Sequence, residues 1–227
     1  MSAVTEYLRR AVAPRLVVGL SRKRGLQQWR AAFRRALGRP TTVELFFAFD
    51  DPYAAIALPG LIKIAAANKA TLKLRPLISR GIDGDPAVTQ RSVHAITDSR
   101  RLAQRDGRTL VRNAPLTAQD CAFLASWTAA SSEHPKVNDF VAAALAQLWF
   151  ESTELPTPEN YAALYQSHIG KTASKSSTES DAQLASNTKR LHKLGHWESP
   201  TAYLAGEWYF AHERLEQIDA HLRNLGA

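Results

Sequence analysis

The strongest constraint on the fold is local. Val43-Glu44-Leu45-Phe46-Phe47-Ala48-Phe49 is a short apolar run of strand formers that stops at Asp50-Asp51-Pro52. Thr71-Leu72-Lys73-Leu74-Arg75-Pro76-Leu77 alternates as a strand does. Between them Asp51 is a good helix N-cap and Pro52 a good first helical residue, and the alanine-rich run from Ala54 to Asn68 carries Ile56, Leu61, Ile62 and Ile64. Strand, helix and strand in so short a span form a βαβ unit, with a parallel pair and a right-handed crossover. Pro59 is expected to kink the helix, because a proline inside one removes a backbone hydrogen bond at a cost of about 3 kcal/mol.

From about Asp85 to Leu194 the pattern turns helical. Helices are predicted over Ala87 to Arg105, Thr117 to Ala130, Lys136 to Phe150, Pro158 to Ser167 and Ser180 to Leu194, with the small polar stretch from Gly170 to Thr178 as a loop. Strand signals return at Thr201 to Ala205 and Glu207 to Phe210, a hairpin around Gly206, and Glu213 to Leu225 closes the chain as a helix. The order βαβ, helices, ββα is that of an α/β, thioredoxin-like fold with an all-helical subdomain inserted after the second strand. The domains are then residues 41–84 with 195–227 for the thioredoxin-like part, 85–194 for the insertion, and 1–40 for a basic amphipathic helical arm.

Charge sets that arm apart. Residues 1–40 hold ten Arg and Lys against Glu6, whereas the other 187 residues are almost balanced, so the net charge of +8 belongs to the arm. From Ser21 it reads as a helix with Leu26, Trp29, Phe33 and Leu37 on one stripe, Arg22, Arg30, Arg34 and Arg35 mostly off it, and Gly38 and Pro40 as its stop. Either the stripe tucks Trp29 and Phe33 against the chain's own domain, or the arm docks on an anionic membrane surface or an acidic protein partner. Nucleic acid is disfavoured, because the body of the chain lacks interleaved basic and aromatic residues.

Other chemistry is bounded by what is scarce. Cys121 is the only cysteine, so the chain by itself can form neither a dithiol centre nor a cysteine-rich zinc site, and its apolar helical context suggests a buried, inert thiol. No apolar run is long enough to span a bilayer, and Leu16 to Leu20 is too short for a secretory signal, so a cytoplasmic protein, at most peripheral to the membrane, is expected. His192 and His196 lack a carboxylate at a metal-site spacing, and Gly170-Lys171-Thr172 lacks the first glycine of a phosphate loop, so no metal is expected.

Two segments taken together resemble a known superfamily. Phe49-Asp50-Asp51-Pro52-Tyr53-Ala54, and Gly195-His196-Trp197-Glu198-Ser199-Pro200-Thr201 with Gly206-Glu207-Trp208-Tyr209-Phe210-Ala211-His212-Glu213-Arg214-Leu215, are similar to the DsbA-like proteins. Within these they look most like the branch of 2-hydroxychromene-2-carboxylate isomerases and kappa-class glutathione transferases. The resemblance implies a cysteine or serine at the position of Asp51 and a cis proline at Pro200. It also implies that the Ser199 backbone pairs with glutathione, and that a Gly-x-Asp-Arg turn, here Ala211-His212-Glu213-Arg214, holds the γ-glutamyl end.

Asp51 is the sharpest departure from that pattern. An ionised carboxylate only accepts hydrogen bonds, and it would repel a thiolate about 4 Å away by ~1 kcal/mol in water. Either Asp51 is protonated, or the site does not activate a thiol in this way. Asp50 and Asp51 as a pair offer a general acid or base, whereas Asp51 alone is explained by capping. Tyr53 is either a hydroxyl donor to a ligand or a core aromatic. Asn113 is a substrate contact or a turn residue, and Trp197, like Trp149 and Trp208, is a wall of the core or cleft.

The resulting expectation is an isomerase or glutathione-dependent transferase acting on a small-molecule substrate and forming a homodimer. Asp51 and Tyr53 would handle protons, Ser199, Pro200, His212 and Glu213 would hold glutathione, and Asp50, Asn113 and Trp197 would meet substrate. The alternative is a catalytically degenerate binding relative whose arm docks to a partner or membrane.

Overall fold

The computed structural model describes residues 29, 31–33, 36–81, 84–173 and 177–226. Most of the arm, including Arg22, Leu26, Arg30, Arg34 and Arg35, lies outside the described residues.

The apolar run becomes β1 (Thr42–Phe47), and because both of its faces are covered, it has no solvent side to alternate with. Val43, Leu45 and Phe47 point into the main core, while Phe46 joins Ala48, Leu77 and Leu191 in a smaller cluster on the other face, against Tyr203 and Trp208. Helix α1 (Pro52–Ala67) crosses over to β2 (Thr71–Pro76), which pairs parallel to β1 in the register Val43 opposite Leu72. β3 (Thr201–Leu204) pairs antiparallel to β1, and β4 (Glu207–Phe210) antiparallel to β3, giving the order β2-β1-β3-β4. The turn between β3 and β4 uses Ala205 and Gly206, both at positive φ. A final helix, which we call α7 (Leu215–Asn224), packs on α1, and Gly60 permits that approach, since a Cβ there would lie 2.6 Å from Leu215 Cδ1.

Between β2 and β3 come α2 (Val88–Arg105), α3 (Ala118–Ala130), α4 (Val137–Ala146), α5 (Pro158–Ile169) and α6 (Thr178–Lys193). Thr117 and Asp120 form a capping box on α3, and Thr157 and Ser177 cap α5 and α6. None of the helices described is long and apolar enough to cross a membrane.

Two expectations need correction, and the surroundings of Pro59 need a note. The predicted helix from Lys136 to Phe150 ends in a π-helical turn, Gln147–Glu151, and the buried Arg112 donates to the carbonyls of Leu148 (2.8 Å), Thr153 (3.2 Å) and Glu154 (2.5 Å) around it. Pro59 lies inside α1, which continues past it to Ala67. The carbonyl of Ala55, which a residue-59 amide would otherwise reach, accepts instead from Arg108 Nη1 at 3.3 Å. Trp29 and Phe33 are not tucked in; they are 65% and 55% exposed, whereas Ala31, among the described arm residues, enters the core.

The insertion is fastened to the sheet by polar groups as well as by the core. Glu44 on β1 takes ion pairs from Arg75 on β2 and Arg190 on α6, and although burial opposes its charge, these two guanidinium groups hold its pKa below the usual carboxylate value. Trp149 donates its indole N–H to Phe49 O at 3.1 Å, just before the candidate site begins.

Candidate active site

The site starts where β1 ends. Asp51 has the extended backbone of an N-cap, and its Oδ1 accepts from Tyr53 N at 3.1 Å. The loop leading to β3 comes close at this point. Ser199 precedes Pro200 across a cis peptide bond, its hydroxyl donates to Asp51 Oδ2 at 2.8 Å, and the hydroxyl oxygen in turn accepts from Ala48 N at 3.0 Å. Asp51 is fully buried. Burial raises its pKa to about 6, against the pull of Arg80, whose Nη1 lies 3.7 Å from Oδ1, and of the Ser199 hydroxyl.

Asp50 points the other way. Its Oδ1 accepts from Arg80 N at 3.0 Å, and its side chain lines a cleft of about 610 Å³ together with Ser79, Arg80, Asp85, Ser92 and Thr117. The cleft runs between the loop after β2, the start of α2 and the start of α3. Burial first, and the charge of Asp51 second, raise the Asp50 pKa to about 7.

Tyr53 does not line this cleft. Its ring stacks on His212, with centroids 4.1 Å apart, the Arg80 guanidinium lies 5.4 Å from its centroid, and its hydroxyl donates to Asp98 Oδ2 on α2 at 2.9 Å. Burial and the hydrogen bond to Asp98 both push its pKa up. Burial lowers that of His212, whose Nδ1 is buried with no hydrogen-bond partner.

The sequence-derived site therefore divides. Asp50, Asp51, Tyr53, Ser199, Pro200 and His212 converge around the start of α1 and the end of the β3 loop. Asp51 and Tyr53, read as catalytic, do not line the cleft, because their polar atoms are committed to Ser199 and Asp98. Glu213 is exposed, its Oε1 3.7 Å from His212 Nε2. Asn113 is also exposed and accepts from Arg100 Nη2 at 2.6 Å, while its neighbours Pro115, Leu116 and Thr117 reach the cleft. Trp197 does not line this cleft; it is 51% exposed and stacks on His196. Cys121 is buried, and burial raises its thiol pKa.

Sequence reasoning missed Arg80 and Asp98. Arg80 sits in the loop after the carboxyl end of β2, where α/β sheets tend to place ligand contacts, and that rule would have singled out the Ser79-Arg80-Gly81 turn. Asp98 carries no such signal, since only the packing of α2 brings it to Tyr53.

A thiolate cofactor does not fit the start of α1. The Tyr53 N–H that would meet it is taken by Asp51, both Asp51 oxygens already accept hydrogen bonds, and the Ser199 hydroxyl is turned inward to the same carboxylate.

No protein-family model matches the chain, and no curated protein matches its sequence. Solved structures do match. A 2-hydroxychromene-2-carboxylate isomerase superposes with a TM-score of 0.64 at 19% identity, over 81% of this chain and 95% of its own. A probable DsbA oxidoreductase from Streptomyces coelicolor gives 0.60 at 14% identity, over 82% and 89%. The cytosolic disulfide reductase DsbM from Pseudomonas aeruginosa, solved with GSH, gives 0.53 at 14% identity, over 80% and 96%. The chain thus has the DsbA-like thioredoxin fold with helices inserted between β2 and β3.

Proposed function

We propose that the chain is a cytoplasmic acid–base isomerase of small molecules, of the hydroxychromene carboxylate isomerase type, rather than a dithiol oxidoreductase or a glutathione transferase. The observation that carries this reading is Asp50, a cleft-lining carboxylate with a pKa near neutrality. A group that is part protonated and part ionised at pH 7 can take a proton from one substrate atom and return it to another. Oδ1 is held by Arg80 N, so Oδ2 is the transferring atom. As the proton leaves, the electron pair moves into the substrate, and Arg80, a cationic residue of the cleft lining, would offset the charge that the substrate gains. Returning the proton at a different atom completes an isomerisation with no net oxidation. Asp51, Ser199 and Ala48 N fix the chain around Asp50.

A second reading is favoured by the closure of residue 51: a relative that keeps the cleft for binding and has lost turnover. One experiment separates the two. Purified protein is assayed by absorbance with 2-hydroxychromene-2-carboxylate, with and without glutathione, beside Asp50→Asn. Turnover independent of glutathione that falls by roughly 10²-fold or more in the variant supports the isomerase. Calorimetric binding without turnover supports the binding relative, and turnover that requires glutathione contradicts proton transfer by Asp50 alone.

A further inference from the structure

The arm presents an apolar ridge outward. Residues 29, 31–33 and 36 are helical; Ala31 is fully buried in the core, whereas Trp29, Phe33 and Leu37, spaced four apart on the opposite side, are 65%, 55% and 57% exposed. The Trp29 and Phe33 rings stack with centroids 5.9 Å apart, so these two form one aromatic surface, with Leu37 exposed four residues further on. A helix that buried its apolar stripe against its own domain would show the reverse.

We propose that this ridge docks the protein on an anionic lipid surface. Trp29, Phe33 and Leu37 would enter the boundary between headgroups and acyl chains, where an amphipathic ring with one polar edge sits best. The ten basic residues among the first forty, against Glu6, supply the complementary charge. Two rivals fit less well. Nucleic acid would engage the arginines but leave an exposed Trp-Phe-Leu ridge in water, and a second copy of the chain would bring another strongly basic arm against this one.

The test uses the full chain in a flotation assay with phosphatidylcholine vesicles, with or without about one third phosphatidylserine, and a duplex DNA control. The protein floats with the anionic vesicles, binds the neutral ones at least about tenfold more weakly, and is released at about 0.5 M salt. Trp29→Ala/Phe33→Ala, and separately Arg30→Gln/Arg34→Gln/Arg35→Gln, each weaken binding about tenfold or more, with circular dichroism unchanged. Equal binding to both vesicle types, no flotation, or unaltered binding by both variants would overturn the proposal. So would DNA binding without vesicle binding, or self-association that the Trp29→Ala/Phe33→Ala change abolishes in a protein that ignores vesicles.

Discussion

Ser199 Oγ stands 2.8 Å from Asp51 Oδ2 and joins the loop before β3 to the cap of α1, 148 residues away in sequence. Ser199 Oγ also takes the Ala48 amide, so one hydroxyl satisfies two buried groups at the carboxyl end of β1. A helix start that in a thiol enzyme would stay open to substrate is here closed by the protein's own side chains.

Ser199→Ala removes both partners at once. A buried amide and a buried carboxylate each lose a hydrogen bond, and urea denaturation is expected to show a loss of about 1 to 3 kcal/mol. The Asp51 pKa rises further, because the hydroxyl bond now lowers it. A loss within the error of the wild type would mean that the contact does not form.

The two aspartates make stability depend on pH with a definite sign. Both pKa values lie above the unfolded value, at about 7 for Asp50 and about 6 for Asp51, so the folded protein binds more protons between about pH 4 and pH 7. Their contribution is complete below the unfolded pKa and fades as pH rises through the folded values. Asp50→Asn keeps an oxygen to accept from Arg80 N. It is expected to gain roughly 2 to 4 kcal/mol on the wild type between pH 4 and pH 8, compared by urea denaturation.

Arg108 and Pro59 should be coupled. Arg108→Met strands the Ala55 carbonyl and also breaks the contact of the guanidinium with the Phe150 ring, 3.5 Å from its centroid, for about 1 to 2 kcal/mol. In a Pro59→Ala background the restored amide can serve that carbonyl, so the same substitution costs less. A double-mutant cycle with no coupling would refute the assignment.

Arg112 ties the π-helical turn to the segment that follows it, through the carbonyls of Leu148, Thr153 and Glu154. Arg112→Lys cannot span them with one ammonium, and a loss of about 2 to 4 kcal/mol is expected in chemical denaturation. A shift of a few tenths would show that the turn holds itself.

Much of this architecture is written locally. The β1-α1-β2 unit follows from strand periodicity and from Asp51-Pro52, and the β3-β4 hairpin follows from Gly206, because each is decided by residues close in sequence. The insertion helices follow from their apolar spacing, and side-chain caps at Thr117, Thr157 and Ser177 start three of them. What stayed hidden depends on distant partners. The π-helical turn at Gln147–Glu151 is supported by Arg112, far back in the chain, and Asp98 meets Tyr53 only through α2 packing. Asp51 and Tyr53 were legible as members of the site, but not the direction of their polar atoms. That direction is set by Ser199 and Asp98, and it leaves Asp50 as the carboxylate of the pair that lines the cleft.

The central claim is that Asp50 carries the transferable proton. It is tested most directly by a carboxyl carbon NMR titration, with Asp50 assigned by Asp50→Asn. An apparent pKa near 7, coupled to that of Asp51, is the predicted result. A midpoint close to 4, as for an exposed aspartate, would contradict the claim.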